Sequence, residues 1–139
     1  MKLNSFVVIG LFLSVVMFSA ASFAAPKDSL IAKQNAKNKL GSGYYFTYNF
    51  AQKPVIGTNI LKIQIFDNKG NKNSSFNLKG TSDMAEMRGM GSDELVFKKN
   101  KKNDYLLPVD SSMRGDWVVV VKFLLKKAEY ARYTIKFNI

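Results

Sequence analysis

Trp117-Val118-Val119-Val120-Val121-Lys122-Phe123 is the stretch that decides the fold. Trp117, Val119, Val121 and Phe123 alternate with Val118, Val120 and Lys122, a period of two that belongs to a strand. The run is β-branched and short, so a helix is a poor alternative. It is the longest and most apolar such segment, which places it near the centre of a sheet. On its C-terminal side, Lys126-Lys127 reads as a turn. Ala131, Tyr133, Ile135, Phe137 and Ile139 then form a last alternating strand.

The same period appears upstream. Tyr44, Phe46, Tyr48 and Phe50 alternate with Tyr45, Thr47 and Asn49. Leu61, Ile63 and Ile65 mark a half-buried strand over 58–66, closed by the turn Asp67-Asn68-Lys69-Gly70-Asn71. Phe76 and Leu78 suggest a short third strand stopping at Gly80, and residues 81–93 read as a polar loop. Leu95 and Phe97 give a fourth strand, 98–104 a turn, and Tyr105, Leu107 and Val109 a fifth. Seven short strands without an amphipathic helix predict an all-β, immunoglobulin-like sandwich of about seven antiparallel strands, with a small barrel as the alternative. Trp117, Val119, Val121, Leu61, Ile63, Ile135 and Phe137 are the expected inward residues.

Three segments follow from composition along the 139 residues. Residues 1–24 fit a signal peptide: Lys2, an apolar run from Phe6 to Val16, then the small-x-small site Ser22-Phe23-Ala24. The competing form is an uncleaved anchor, because Phe6 to Ala25 carries no charge over 20 residues. Either form places the rest outside the cytoplasm: periplasmic or secreted if cleaved, membrane-anchored if not. Residues 25–43 read as a polar linker with a helical turn around Leu30 to Ala36, and 44–139 as the sandwich domain.

The chain has neither Cys nor His, which removes disulfides, zinc fingers, Cys–His and Ser–His–Asp catalysis. No nucleophile–base set remains, so a non-enzymatic role is expected. Asp93-Glu94 makes a poor acid–base pair, since adjacent strand residues point to opposite faces. The net charge is 21 − 10 = +11. Export argues against nucleic acid and leaves weak attraction to anionic surfaces, with another exported or membrane protein as the expected partner. The Lys98 to Lys102 run reads first as a solvated hairpin tip, with an acidic-lipid or polysaccharide patch as the alternative.

Chemistry concentrates in methionine. Met84, Met87 and Met90 lie within seven residues of a polar, glycine-containing loop, and Met113 precedes the central strand. Three soft, uncharged thioethers at this spacing suit Cu(I), and no other soft ligand exists in the chain. The alternative is a metal-free module whose loop methionines cap the core or touch a partner. Ser112 to Trp117 reads mainly as the turn into the central strand, with Gly115 for the bend and Trp117 opening the buried face.

Several of these elements occur in a familiar order. Pro54-Val55-Ile56-Gly57-Thr58-Asn59 leads into a Leu/Ile strand and an Asp-Asn-Lys-Gly turn. A Met-rich loop follows at 84–90, then Asp104-Tyr105 on an alternating strand, then Met113-Arg114-Gly115-Asp116-Trp117 before the Val-rich strand. Over residues 44–139 this resembles the YtkA-like family, related to the FixH-like proteins. The resemblance implies an exported or membrane-tethered immunoglobulin-like sandwich, associated in some relatives with copper handling and respiratory oxidase assembly. Relatives often carry His or Pro among the loop methionines. Neither occurs between 81 and 93 here, which leaves Cu(I) as the well-matched ion.

Overall fold

The computed structural model describes residues 30–86 and 93–139. Among these, ten strands and no helix form. They are β1 Leu30–Ile31, β2 Asn38–Leu40, β3 Tyr44–Phe50, β4 Gly57–Asp67, β5 Asn77–Met84, β6 Leu95–Val96, β7 Lys98–Lys99, β8 Tyr105–Ser111, β9 Asp116–Leu125 and β10 Ala128–Asn138. Two five-stranded sheets result, ordered β1-β10-β9-β5-β6 and β2-β3-β4-β8-β7. They face each other across one core. Phe46 of the second sheet meets Phe123 of the first at 4.8 Å and Tyr133 at 4.7 Å between ring centres. The protein is a β-sandwich.

Its connectivity is that of the immunoglobulin fold. If β3, β4, β5, β7, β8, β9 and β10 are taken as strands A to G, one sheet reads A-B-E-D and the other C-F-G. The chain crosses between sheets at Phe97, the single residue separating β6 from β7. Its amide donates to the Leu78 carbonyl at 2.9 Å while its ring enters the core.

The alternating residues behave as their period requires. Trp117, Val119, Val121, Leu61, Ile63 and Ile135 are buried, and β9 lies in the middle of its sheet. Phe137 departs from expectation. It is half-buried and packs on Phe50 at 4.8 Å at one end of the core. Each fully buried Leu, Ile, Val or Phe here contributes about 1.5–3 kcal/mol relative to exposure. The Lys126-Lys127 turn forms where expected, with Ala128 opposite Leu125 and both lysines at positive φ, 50° and 66°.

Two boundaries differ from the sequence reading. The third strand does not stop at Gly80 but continues to Met84, paired along its length with β9. Gly80 is required by close approach: a Cβ there would lie 2.6 Å from Leu107 Cδ2 and 3.0 Å from Phe97 Cε1. Residues 81–84 therefore belong to a strand and not to a loop. Residues 30–40, read as linker with a helical turn, instead contribute β1 to one sheet and β2 to the other. Leu30 pairs in parallel with Tyr133, and Asn38 pairs with Phe46. Leu40 and Ala32 join the core, and the Asn38 side chain holds the connection by bonding Lys33 N at 2.8 Å.

Candidate functional site

The register of β5 against β9 sets the geometry of the methionine end. Met84 stands opposite Trp117, and the ladder runs one step further, from Ala85 N to Asp116 O at 2.9 Å. Ala85 thus follows β5 at the end where the 112–115 turn enters β9. Met87 and Met90 lie outside the described residues. Met84 is half-buried against that turn, its methyl 3.0 Å from where a Gly115 Cβ would sit. Met113 is 50% exposed on the same turn. Met84 and Met113 thus both lie beside Gly115.

Trp117 holds the turn. Its indole N–H donates to the Met113 carbonyl at 3.0 Å, closing a loop of four residues before β9. This is the position and the bond type of the tyrosine corner of immunoglobulin-like domains, made here by tryptophan. Gly115 sits at φ 141°, a conformation that glycine alone adopts freely, and bonds Ile139 in both directions at 3.1 Å. Gly115→Ala should therefore cost about 1–3 kcal/mol. Adding Met84→Ala should recover only the steric part. Urea unfolding of the single and double variants measures both, and a neutral Gly115→Ala would show that the turn tolerates a side chain.

The surface around this turn is apolar. Pro54, Val55, Ile56, Arg114 and Ile139 line a groove of about 400 Å³, with Val55 and Ile56 more than half exposed. A second groove of about 470 Å³ runs over Ala85, Asp116, Val118 and Lys136 on the outer face. Among the described residues, no three of His, Cys, Asp and Glu gather in a way that would hold a metal. Glu94, beside Asp93, is committed to Lys122 at 2.8 Å and Lys79 at 3.8 Å, and the Lys122 hydrogen bond lowers its pKa.

At the opposite end, sequence reasoning missed a buried charge. Asp104 begins strand E and is 4% exposed. Its carboxylate takes the Lys72 ammonium, Gln64 Nε2 at 2.9 Å and Asn100 Nδ2 at 3.2 Å, while Asn100 Oδ1 accepts the Asp104 amide at 2.9 Å. Burial alone would raise its pKa. The hydrogen bonds from Lys72, Gln64 and Asn100, with the Lys72 charge, outweigh burial and hold it at about 2. Lys72 also donates to Lys102 O at 2.9 Å, so the group ties the turn after β4 to the turn before β8. The one available signal was Asn100 and Asp104 at a four-residue spacing around a turn.

Comparison of the chain with protein-family models and with curated proteins finds no match.

Proposed function

We propose that this chain is an exported, non-enzymatic accessory domain of the YtkA-like and FixH-like type, which takes Cu(I) through Met84, Met87 and Met90 with Met113 contributing. The observation that supports this is the placement of Met84 and Met113 beside Gly115, at the end of the sandwich where Ala85 follows β5. Thioethers are neutral and soft, and need no deprotonation to bind. Binding through them should persist at mildly acidic pH and discriminate against Zn²⁺ and Ca²⁺. Copper delivery during oxidase assembly is the role that fits a modest, transferable site.

The test is anaerobic Cu(I) titration against a competing chelator. The variant Met84→Leu/Met87→Leu/Met90→Leu keeps volume and apolarity and removes sulfur. It should abolish uptake and shift thermal stability by no more than a few degrees. Met113→Leu added to wild type should weaken uptake without abolishing it. Equal uptake by wild type and the triple variant ends the copper reading.

A second reading has its own support. The exposed Val55, Ile56 and Met113, beside the groove at Arg114 and Ile139, form an apolar end suited to contact with another exported or membrane protein. In that reading the triple Leu variant keeps its partner and wild type takes up no copper.

A further inference from the structure

The two ends of the sandwich carry opposite character, and the lysine end has no role in the reading above. Three connections meet there. The turn after β4 brings Lys69, the turn before β8 brings Lys101 and Lys102, and the β9–β10 hairpin brings Lys126 and Lys127, all five exposed. The first two are joined by Lys72 to Lys102 O and by Lys99 Nζ to Ser74 O at 3.0 Å. The third abuts them through Tyr130 and Phe76, whose rings lie 5.4 Å apart. Among the described residues, the carboxylates near this end are engaged. Asp67 accepts the amides of Lys69 and Asn71, Asp104 is buried with Lys72, and Glu129 pairs with Arg132. Asp83, Glu86, Asp110 and Asp116 lie toward the methionine end instead. Among the described residues, five exposed lysines from three connections therefore gather at this end, while Asp83, Glu86, Asp110 and Asp116 lie with Arg114 toward the other.

Three further features bear on what meets this end. Tyr45 and Phe66 stack at 5.1 Å on the outer face of the second sheet, one position from the strand ends, with Lys37 over the Tyr45 ring at 5.0 Å. Lysines bordered by aromatic rings are the composition of surfaces that seek the membrane–water interface. β1 runs parallel to β10, away from the Lys126-Lys127 turn, so its N-terminal side points to the lysine end. Lys126 and Lys127 also occupy the two left-handed positions of a two-residue hairpin turn, where Asn and Gly are favoured. The chain meets that preference at Asn103, with φ 60°, and departs from it at both lysines.

We propose that the lysine end docks on an anionic phospholipid bilayer and leaves the methionine end facing away from it. The proposal rests on the exported reading and not on copper. Cell fractionation tests the export; vesicles test the surface.

Residues 25–139, the expected exported form, contain every buried core residue among the described residues and serve as the probe protein. It should co-sediment with phosphatidylglycerol vesicles at low salt, release as salt rises toward 0.5 M on the order of the screening expected, and ignore phosphatidylcholine vesicles. Replacing Lys69, Lys101, Lys102, Lys126 and Lys127 with Gln should weaken vesicle binding about tenfold or more. Replacing Lys33, Lys53, Lys62, Arg114 and Lys136 with Gln gives the same net charge and should change binding less than about threefold. Lys126→Asn/Lys127→Gly should raise thermal stability while lowering vesicle binding. Equal losses in the two five-charge variants, no binding to the anionic vesicles, or displacement from them by polygalacturonate at matched charge would each overturn the bilayer assignment.

Discussion

Trp117→Ala is expected to destabilise the domain by about 3–5 kcal/mol, a large share of the roughly 5–15 kcal/mol that holds a domain of this size folded. Trp117 is only 7% exposed and stands between Met84 on one strand and Phe137 on the other. Truncation leaves a void as wide as an indole and removes the hydrogen bond to the Met113 carbonyl. Trp117→Phe separates the two contributions. It keeps most of the ring volume and loses the N–H, so it should cost about 1–2 kcal/mol. Urea unfolding followed by far-UV circular dichroism reads both variants. A Trp117→Ala cost below about 1 kcal/mol would show that the turn is held by other contacts.

The second large effect concerns acid. Asp104 has a folded pKa of about 2 against an ordinary 3.8. A depressed carboxylate stabilises the fold above its unfolded pKa, and that stability is lost as pH falls through the folded value. The increment is about 2 kcal/mol, fully present above about pH 5 and fading between about pH 4 and pH 2. Asp104→Asn removes the buried charge and leaves the Lys72 ammonium, itself partly exposed to solvent, without its counterion. It should lower stability at neutral pH by about 1–2 kcal/mol, because solvent can take up part of the Lys72 charge. It should also flatten the fall in stability between pH 5 and pH 2. Unfolding free energies of both proteins at pH 5, 3.5 and 2 provide the comparison. Parallel curves for wild type and Asp104→Asn would place the acid response on other carboxylates.

The legibility of this fold varied with strand length and with the reach of the contacts. β3, β4, β8, β9 and β10 each place several large apolar residues on one face, so period two alone located them. β5 was cut short because Thr81, Ser82 and Asp83 carry no apolar alternation and Gly80 resembles a stop. Only the facing Leu107 and Phe97 side chains explain why a glycine stands inside that strand. β1, β2, β6 and β7 have two or three residues each, too few for any period, and exist because a longer neighbour offers a ladder. The methionines were visible as residues but not as neighbours. Met84 and Met113 are 29 positions apart, and the β5–β9 register brings them to the same turn. Asp104 was unreadable for the same reason: Lys72 and Gln64 reach it from a different strand and turn.

Residues 30–40 give the molecule a clasp. Within eleven positions the chain adds β1 alongside β10 in one sheet and β2 alongside β3 in the other. These are the outermost strands on that side of both sheets. Removing this short stretch would therefore bare two rows of unpaired backbone donors and acceptors at once, the templates on which sheets recruit further chains. Protease trimming as far as Tyr44 would leave all seven immunoglobulin-like strands intact and still turn a self-contained domain into one prone to stack on its own copies.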